Sequence, residues 1–145
     1  MNIRASELAA AIAERVNTGL PEGFAVHAEG SVLRVRSSTR WHFVDIDLRG
    51  FFDGIEGELD LPDGDVPRDY LFERAASAVS QFLGTLQDYV TEELTVPWPQ
   101  DQTSRRLAMA MPFVEIEGKA IRSGFGQPEQ LTIEFEPIGL ARLLR

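Results

Sequence analysis

Asp45 and Asp47 stand two residues apart, and with Asp53, Glu56, Glu58, Asp60, Asp63 and Asp65 they set eight carboxylates against one cation, Arg49. Side chains two apart on a strand share a face, so Asp45 and Asp47 could offer paired oxygens to a hard cation such as calcium or magnesium. The spacing is not that of an EF-hand loop, because the acids do not alternate ahead of a glycine with a glutamate beyond it. No metal ligand set is assigned, and the segment reads as a solvated acidic loop or a docking surface for a basic partner. Other chemistries have less to work with. His27 and His42 lie on strand-like segments without H-x-x-x-H spacing, and the chain has no cysteine, which removes thiol catalysis, thiolate zinc sites and disulfides. There is no G-x-S-x-G elbow and no phosphate-binding loop, and Gly118, Gly124 and Gly126 do not form a dinucleotide fingerprint. No catalytic residue and no cofactor is expected, and the chain reads as a non-enzyme.

The net charge of −9 opposes binding to nucleic acid, which depends on lysine and arginine neutralising phosphates, and adhesion to an anionic membrane. No stretch reaches the roughly 18 apolar residues of a membrane span. The N-terminus turns acidic too early for a secretory signal, so a cytoplasmic protein is expected. Lys119 is the one lysine among fourteen basic residues. Since arginine codons are mostly GC-rich, this usage suggests a GC-rich bacterial genome.

The elements that would position these residues follow from hydrophobic period. Leu8, Ile12 and Val16 recur every four residues and predict an N-terminal helix closed by Gly19 and Pro21. From Phe24 the period becomes two. Phe24–Glu29 and Val32–Arg36 flank the turn Gly30-Ser31, and a third strand over 41–48 places Val44, Ile46 and Leu48 on one face. Residues 49–66 are glycine-rich and read as a long loop with one short strand at 58–61. A stripe from Leu71 to Leu94 predicts one helix of about 28 residues, about 42 Å long. Val96-Pro97-Trp98-Pro99 must be extended. Two hairpin strands follow around Gly118-Lys119, pairing Ile116 with Ile121 and Glu115 with Arg122, then a strand through Leu131, Ile133 and Phe135, and a short closing helix over 138–144. The result is a single domain over 1–145 of the α+β class, an antiparallel sheet in the order α-βββ-α-βββ-α packed against the long helix and the N-terminal helix. Glu29-Gly30-Ser31-Val32-Leu33-Arg34 echoes Glu117-Gly118-Lys119-Ala120-Ile121-Arg122, which is read as shared turn chemistry.

Alternation that buries Val44, Ile46 and Leu48 sends Trp41, Phe43, Asp45 and Asp47 to the opposite face, beside Phe51 and Phe52 and the acidic loop. Those rings could instead be covered by the long helix or the 95–112 connection. Trp98, between two prolines, is either a plug or a displayed anchor. Trp41, Phe43, Asp45, Asp47, Phe51, Phe52 and Trp98 are accordingly the candidate partner-binding residues. Gly84, inside the long helix near Ser77, Ser80 and Gln87, suggests close backbone approach by the N-terminal helix or by a second subunit.

The order of elements resembles the type III secretion chaperone-like fold, shared by the YbjN-like proteins. Leu86-Gln87-Asp88-Tyr89-Val90 running into Pro97-Trp98-Pro99, with Glu136-Pro137-Ile138-Gly139-Leu140, is similar to an uncharacterised family of small acidic actinobacterial proteins. The likeness to the chaperone-like fold implies a homodimeric module that holds another polypeptide, and the likeness to the actinobacterial family implies no activity. The alternative is a small-ligand binder or enzyme with a charged pocket between the long helix and the sheet, using Asp45, Asp47, Arg34 or Arg36.

Overall fold

A computed structural model describes residues 2–39, 42–62, 65–101 and 108–144. Helix α1 spans Ala5–Val16, with Leu8, Ala9, Ile12 and Val16 buried on one side. It leads into an antiparallel meander of β1 (Phe24–Glu29), β2 (Val32–Ser37) and β3 (Phe43–Asp47). The first hairpin closes at Gly30-Ser31, with Glu29 opposite Val32 and Gly30 at φ 58°, a left-handed conformation that glycine takes without a Cβ clash. After α2 (Ile55–Glu58), helix α3 runs over Arg68–Leu94, 27 residues, from Pro67 to a left-handed Thr95. Then come β4 (Pro112–Glu117), β5 (Ala120–Gln127) and β6 (Gln130–Gly139).

A helix followed by a three-stranded meander therefore occurs twice. The strands form two separate three-stranded sheets, β1-β2-β3 and β4-β5-β6, rather than one. The second hairpin pairs Ile116 with Ile121 and Glu115 with Arg122, in the register the apolar pattern predicts.

Helix α1 packs along β1 and also reaches β6; α3 packs chiefly along β4 and also touches β2. Between them lies one buried cluster. Val26, Leu33 and Val35 contribute from the first sheet, Ile121, Phe125 and Phe135 from the second, and Leu71, Phe82, Leu83 and Leu86 from α3. Burying a side chain of this size stabilises by roughly 1.5–3 kcal/mol before chain entropy is opposed to it. Tyr89 ties α3 to the first sheet: its hydroxyl accepts from Ser37 N (2.9 Å) and donates to the His42 carbonyl (2.6 Å).

Three local expectations change. In place of a strand at 58–61 the chain makes the helical turn α2, because Gly54 at φ 77° redirects the backbone and Ile55 anchors the turn in the core. The closing helix over 138–144 is replaced by the end of β6, which carries Ile138 inward, and a 3-10 turn over Ala141–Leu143. At Gly84 an added Cβ would meet nothing within 4 Å, so no described residue of this chain uses the glycine for close approach.

Candidate functional site

Among the described residues, the first sheet is covered on one face only. Its pleat sends Val26, Leu33 and Val35 to the core, and the opposite face holds cross-strand rows set by the register. One row is Ala25, Arg36 and Phe43; the next is His27, Arg34 and Asp45; the third is Glu29, Val32 and Asp47. Arg34, Arg36, Asp45 and Asp47 thus stand on the outer face, while the space between α3 and the sheets is filled by core side chains.

Arg34 and Asp45 form a fork of two parallel bonds, Nε to Oδ1 at 2.8 Å and Nη2 to Oδ2 at 3.0 Å. These bonds raise the guanidinium and hold the Asp45 carboxyl below the usual aspartate range. The same guanidinium lies 4.0 Å from the centre of the Phe43 ring, a cation–π contact that leaves Phe43 49% exposed. Asp47 has a different task. It accepts from the Arg49 side chain at 2.8 Å, from Arg49 N at 3.0 Å and from the Ser31 hydroxyl at 2.7 Å, fixing the 3-10 turn over Leu48–Phe51 to the first hairpin. Bonds from Arg49 depress its carboxyl further than that of Asp45.

The other candidates disperse. Phe52 is 3% exposed and belongs to the core, and Phe51 packs half-buried against it. Once strand pairing ends at Asp47, the turn points both rings inward. Trp98 is a plug, half-buried edge-on against Phe125 at 5.3 Å, with its backbone bonded to the Thr91 hydroxyl. Trp41 lies outside the described residues. Within the acidic segment Glu58 bonds Arg74 at 2.8 Å and Tyr70 at 3.2 Å, fastening α2 to α3, whereas Asp53, Asp60 and Asp65 are exposed. Asp63 is also outside the described residues, and among those described no three histidine or acid side chains group closely enough to hold a metal ion. His42 stacks on Tyr89 at 5.2 Å and bonds Glu93 at 3.3 Å; His27 bonds Arg36 at 3.1 Å.

Compared with protein-family models, curated proteins and solved structures, the chain matches none. The site must be read from its own geometry.

The strand edges are what hydrophobic period does not reveal. On β1, Asn17 stands in for a neighbouring strand: its amide donates to the Val26 carbonyl at 2.8 Å and its oxygen accepts from Val26 N at 2.9 Å. On β6, Arg15 donates to the Glu136 and Pro137 carbonyls, and Pro137 has no N–H to offer. Helix α3 flanks β4. The bonds of Val26 to Asn17 also fix the phase of the sheet. Since an antiparallel residue turns its N–H and C=O to the same side, Val35 must pair with Val44, and the backbone groups of Phe43 and Asp45 point away from β2. Among the described residues no strand pairs with that side of β3.

Proposed function

We propose that this chain is a non-enzymatic, chaperone-like protein-binding module of the cytoplasm, which receives an extended segment of a partner protein along β3 and works as a homodimer. The edge of β3 that no described strand pairs with, together with Phe43 exposed beside it, carries the reading. An unpaired edge offers backbone donors and acceptors to any extended peptide, and proteins normally block such edges, as this one does on β1 and β6. Half-buried Val44 and Ile46 on the inner face and Phe43 on the outer would contact alternate side chains of an added strand. The exposed acids Asp53, Asp60 and Asp65, which follow β3 along the chain, favour a basic segment. Leu94, Val96 and Met111, exposed around the end of α3 and the approach to β4, are the apolar surface assigned to self-association. The resemblance in element order to type III secretion chaperone-like and YbjN-like proteins agrees with a holding role.

Affinity capture from a native lysate tests this, comparing the wild type with Phe43→Lys, a change on the solvent face that places a charge beside the open edge. A dimer by light scattering that captures a defined protein, and loses it on Phe43→Lys, supports the proposal. A monomer that captures nothing, or capture indifferent to the substitution, rejects it.

A further inference from the structure

Beside the β3 edge, towards β1, the outer face of the first sheet holds an open groove of about 840 Å³. Its lining includes Ala25, Arg34, Arg36, Ser38, Thr39 and Phe43. The volume lies within the range of small-molecule sites. Two features give it a chemical preference. Arg34 is spent, since Asp45 occupies its fork. Arg36 is not: among the described residues no carboxylate lies within ion-pairing distance, and its one bond is to the ring nitrogen Nε2 of His27 at 3.1 Å. Arg15, Arg68 and Arg142 also lack an acid partner among the described residues, but of these arginines Arg36 is the one that lines this groove.

The surroundings of Arg36 suit an anion. Ser38 and Thr39, both exposed, line the groove, the Thr39 hydroxyl bonding that of Ser37 at 3.0 Å, and Ser38 N is held to the Gly23 carbonyl at 2.7 Å, which fixes the groove's end. Directly across the strand pair from Arg36 stands Phe43, 49% exposed with the Arg34 guanidinium over one face of its ring, so a ligand ring would use the other; on the other side is Ala25, whose methyl leaves the space open. Arginine's planar fork matches a carboxylate or a phosphate with two parallel bonds, and phenylalanine offers a surface for a flat apolar group.

We propose that this groove binds a small molecule carrying a carboxylate or phosphate on a flat apolar group, with the anion on Arg36 and the ring against Phe43. The site shares Phe43 with the strand-addition reading but does not need the backbone edge of β3, and Arg36→Gln and Ala25→Phe, on β2 and β1, leave that edge unchanged.

Benzoate and phenyl phosphate are the probes, followed through the amide resonances of the isotopically labelled full chain, with benzyl alcohol and benzylamine as neutral and cationic counterparts. Saturable shifts centred on Ala25, Arg36, Ser38 and Phe43, at up to about 10 mM probe, are expected for the anions and absent for benzylamine. The stronger anion of the two identifies the natural head group. Arg36→Gln should weaken binding about tenfold or more, Arg36→Lys less because charge remains without the fork, and Ala25→Phe should abolish it by filling the groove. Retained melting temperature checks that each variant folds. No shifts from either anion, equal binding of benzylamine, or binding unchanged in both Arg36→Gln and Ala25→Phe would overturn the proposal.

Discussion

Asp47 shows how one side chain can look like chemistry and serve architecture. Its spacing from Asp45 suggests a paired-oxygen site, yet each carboxylate has its own arginine, and Asp47 also receives a backbone amide and the Ser31 hydroxyl. The pH consequence has a definite sign. An aspartate in the unfolded chain titrates at about 3.9, and the folded Asp47 carboxyl titrates lower. Its contribution is therefore complete above that value and disappears as pH falls towards the folded one, with Asp45 acting in the same sense. Urea unfolding at pH 6 and pH 3 should show a larger loss of stability for wild type than for Asp47→Asn, which has less to lose on acidification. Equal losses would show that the Arg49 and Ser31 bonds contribute nothing measurable. Spacing on a strand reveals which side chains share a face; it does not reveal which cation each acid meets, because Arg34 arrives from a neighbouring strand and Arg49 from the turn.

At the scale of elements, two glycines, each inside a regular element, behave oppositely. Gly84 lies inside α3 with open space where its Cβ would be, so Gly84→Ala should stabilise by about 1 kcal/mol, raising the melting temperature by about 3 °C. Gly124 lies in β5, where an added Cβ would land on the Ile133 carbonyl of β6 beside a shift in strand register. Gly124→Ala must push the β5 and β6 backbones apart and should cost about 1–3 kcal/mol or more, read by the same thermal melts. Both long periodic helices and both hairpin registers are legible from the sequence, because period and two-residue turns are local signals. Helical α2 is not, since its four residues carry too little pattern to separate a turn of helix from a short strand. The inward turn of Phe52 is equally hidden, because the strand's alternation stops before it does.

For the whole molecule, the arrangement into two sheets depends on how edges are closed. Asn17 and Arg15 both come from the end of α1, and each seals a strand of a different sheet, so one helix terminus keeps two sheets from acquiring neighbours. Asn17→Ala should leave Val26 without both edge partners, lowering stability by about 1–3 kcal/mol and making sedimentation depend more strongly on concentration as β1 becomes available for pairing. Unchanged sedimentation would show that α1 shields the edge by bulk alone. The candidate site is only partly readable from sequence for the same reason. Arg34, Phe43, Asp45 and Asp47 follow from alternation, whereas the groove at Arg36 and the open side of β3 exist only once it is known which strands stand beside which.

The doubling of helix and meander gives the protein an internal reference for its own surface. Counting from the matched turns at Gly30 and Gly118, Arg34 corresponds to Arg122, and both arginines lie over a phenylalanine and bond a carboxylate. The next outward position differs: Arg36 in the first half, Gly124 in the second. Opposite it on the preceding strand stands Ala25 in one half and Phe113 in the other. The second half carries the aromatic–arginine–acid trio with a bulky ring where the first has a methyl, and a bare backbone where the first has Arg36, which among the described residues meets no carboxylate. The two sheets therefore carry the same arginine–aromatic–acid contact with different neighbours around it, and the second serves as an internal comparison for the groove at Arg36.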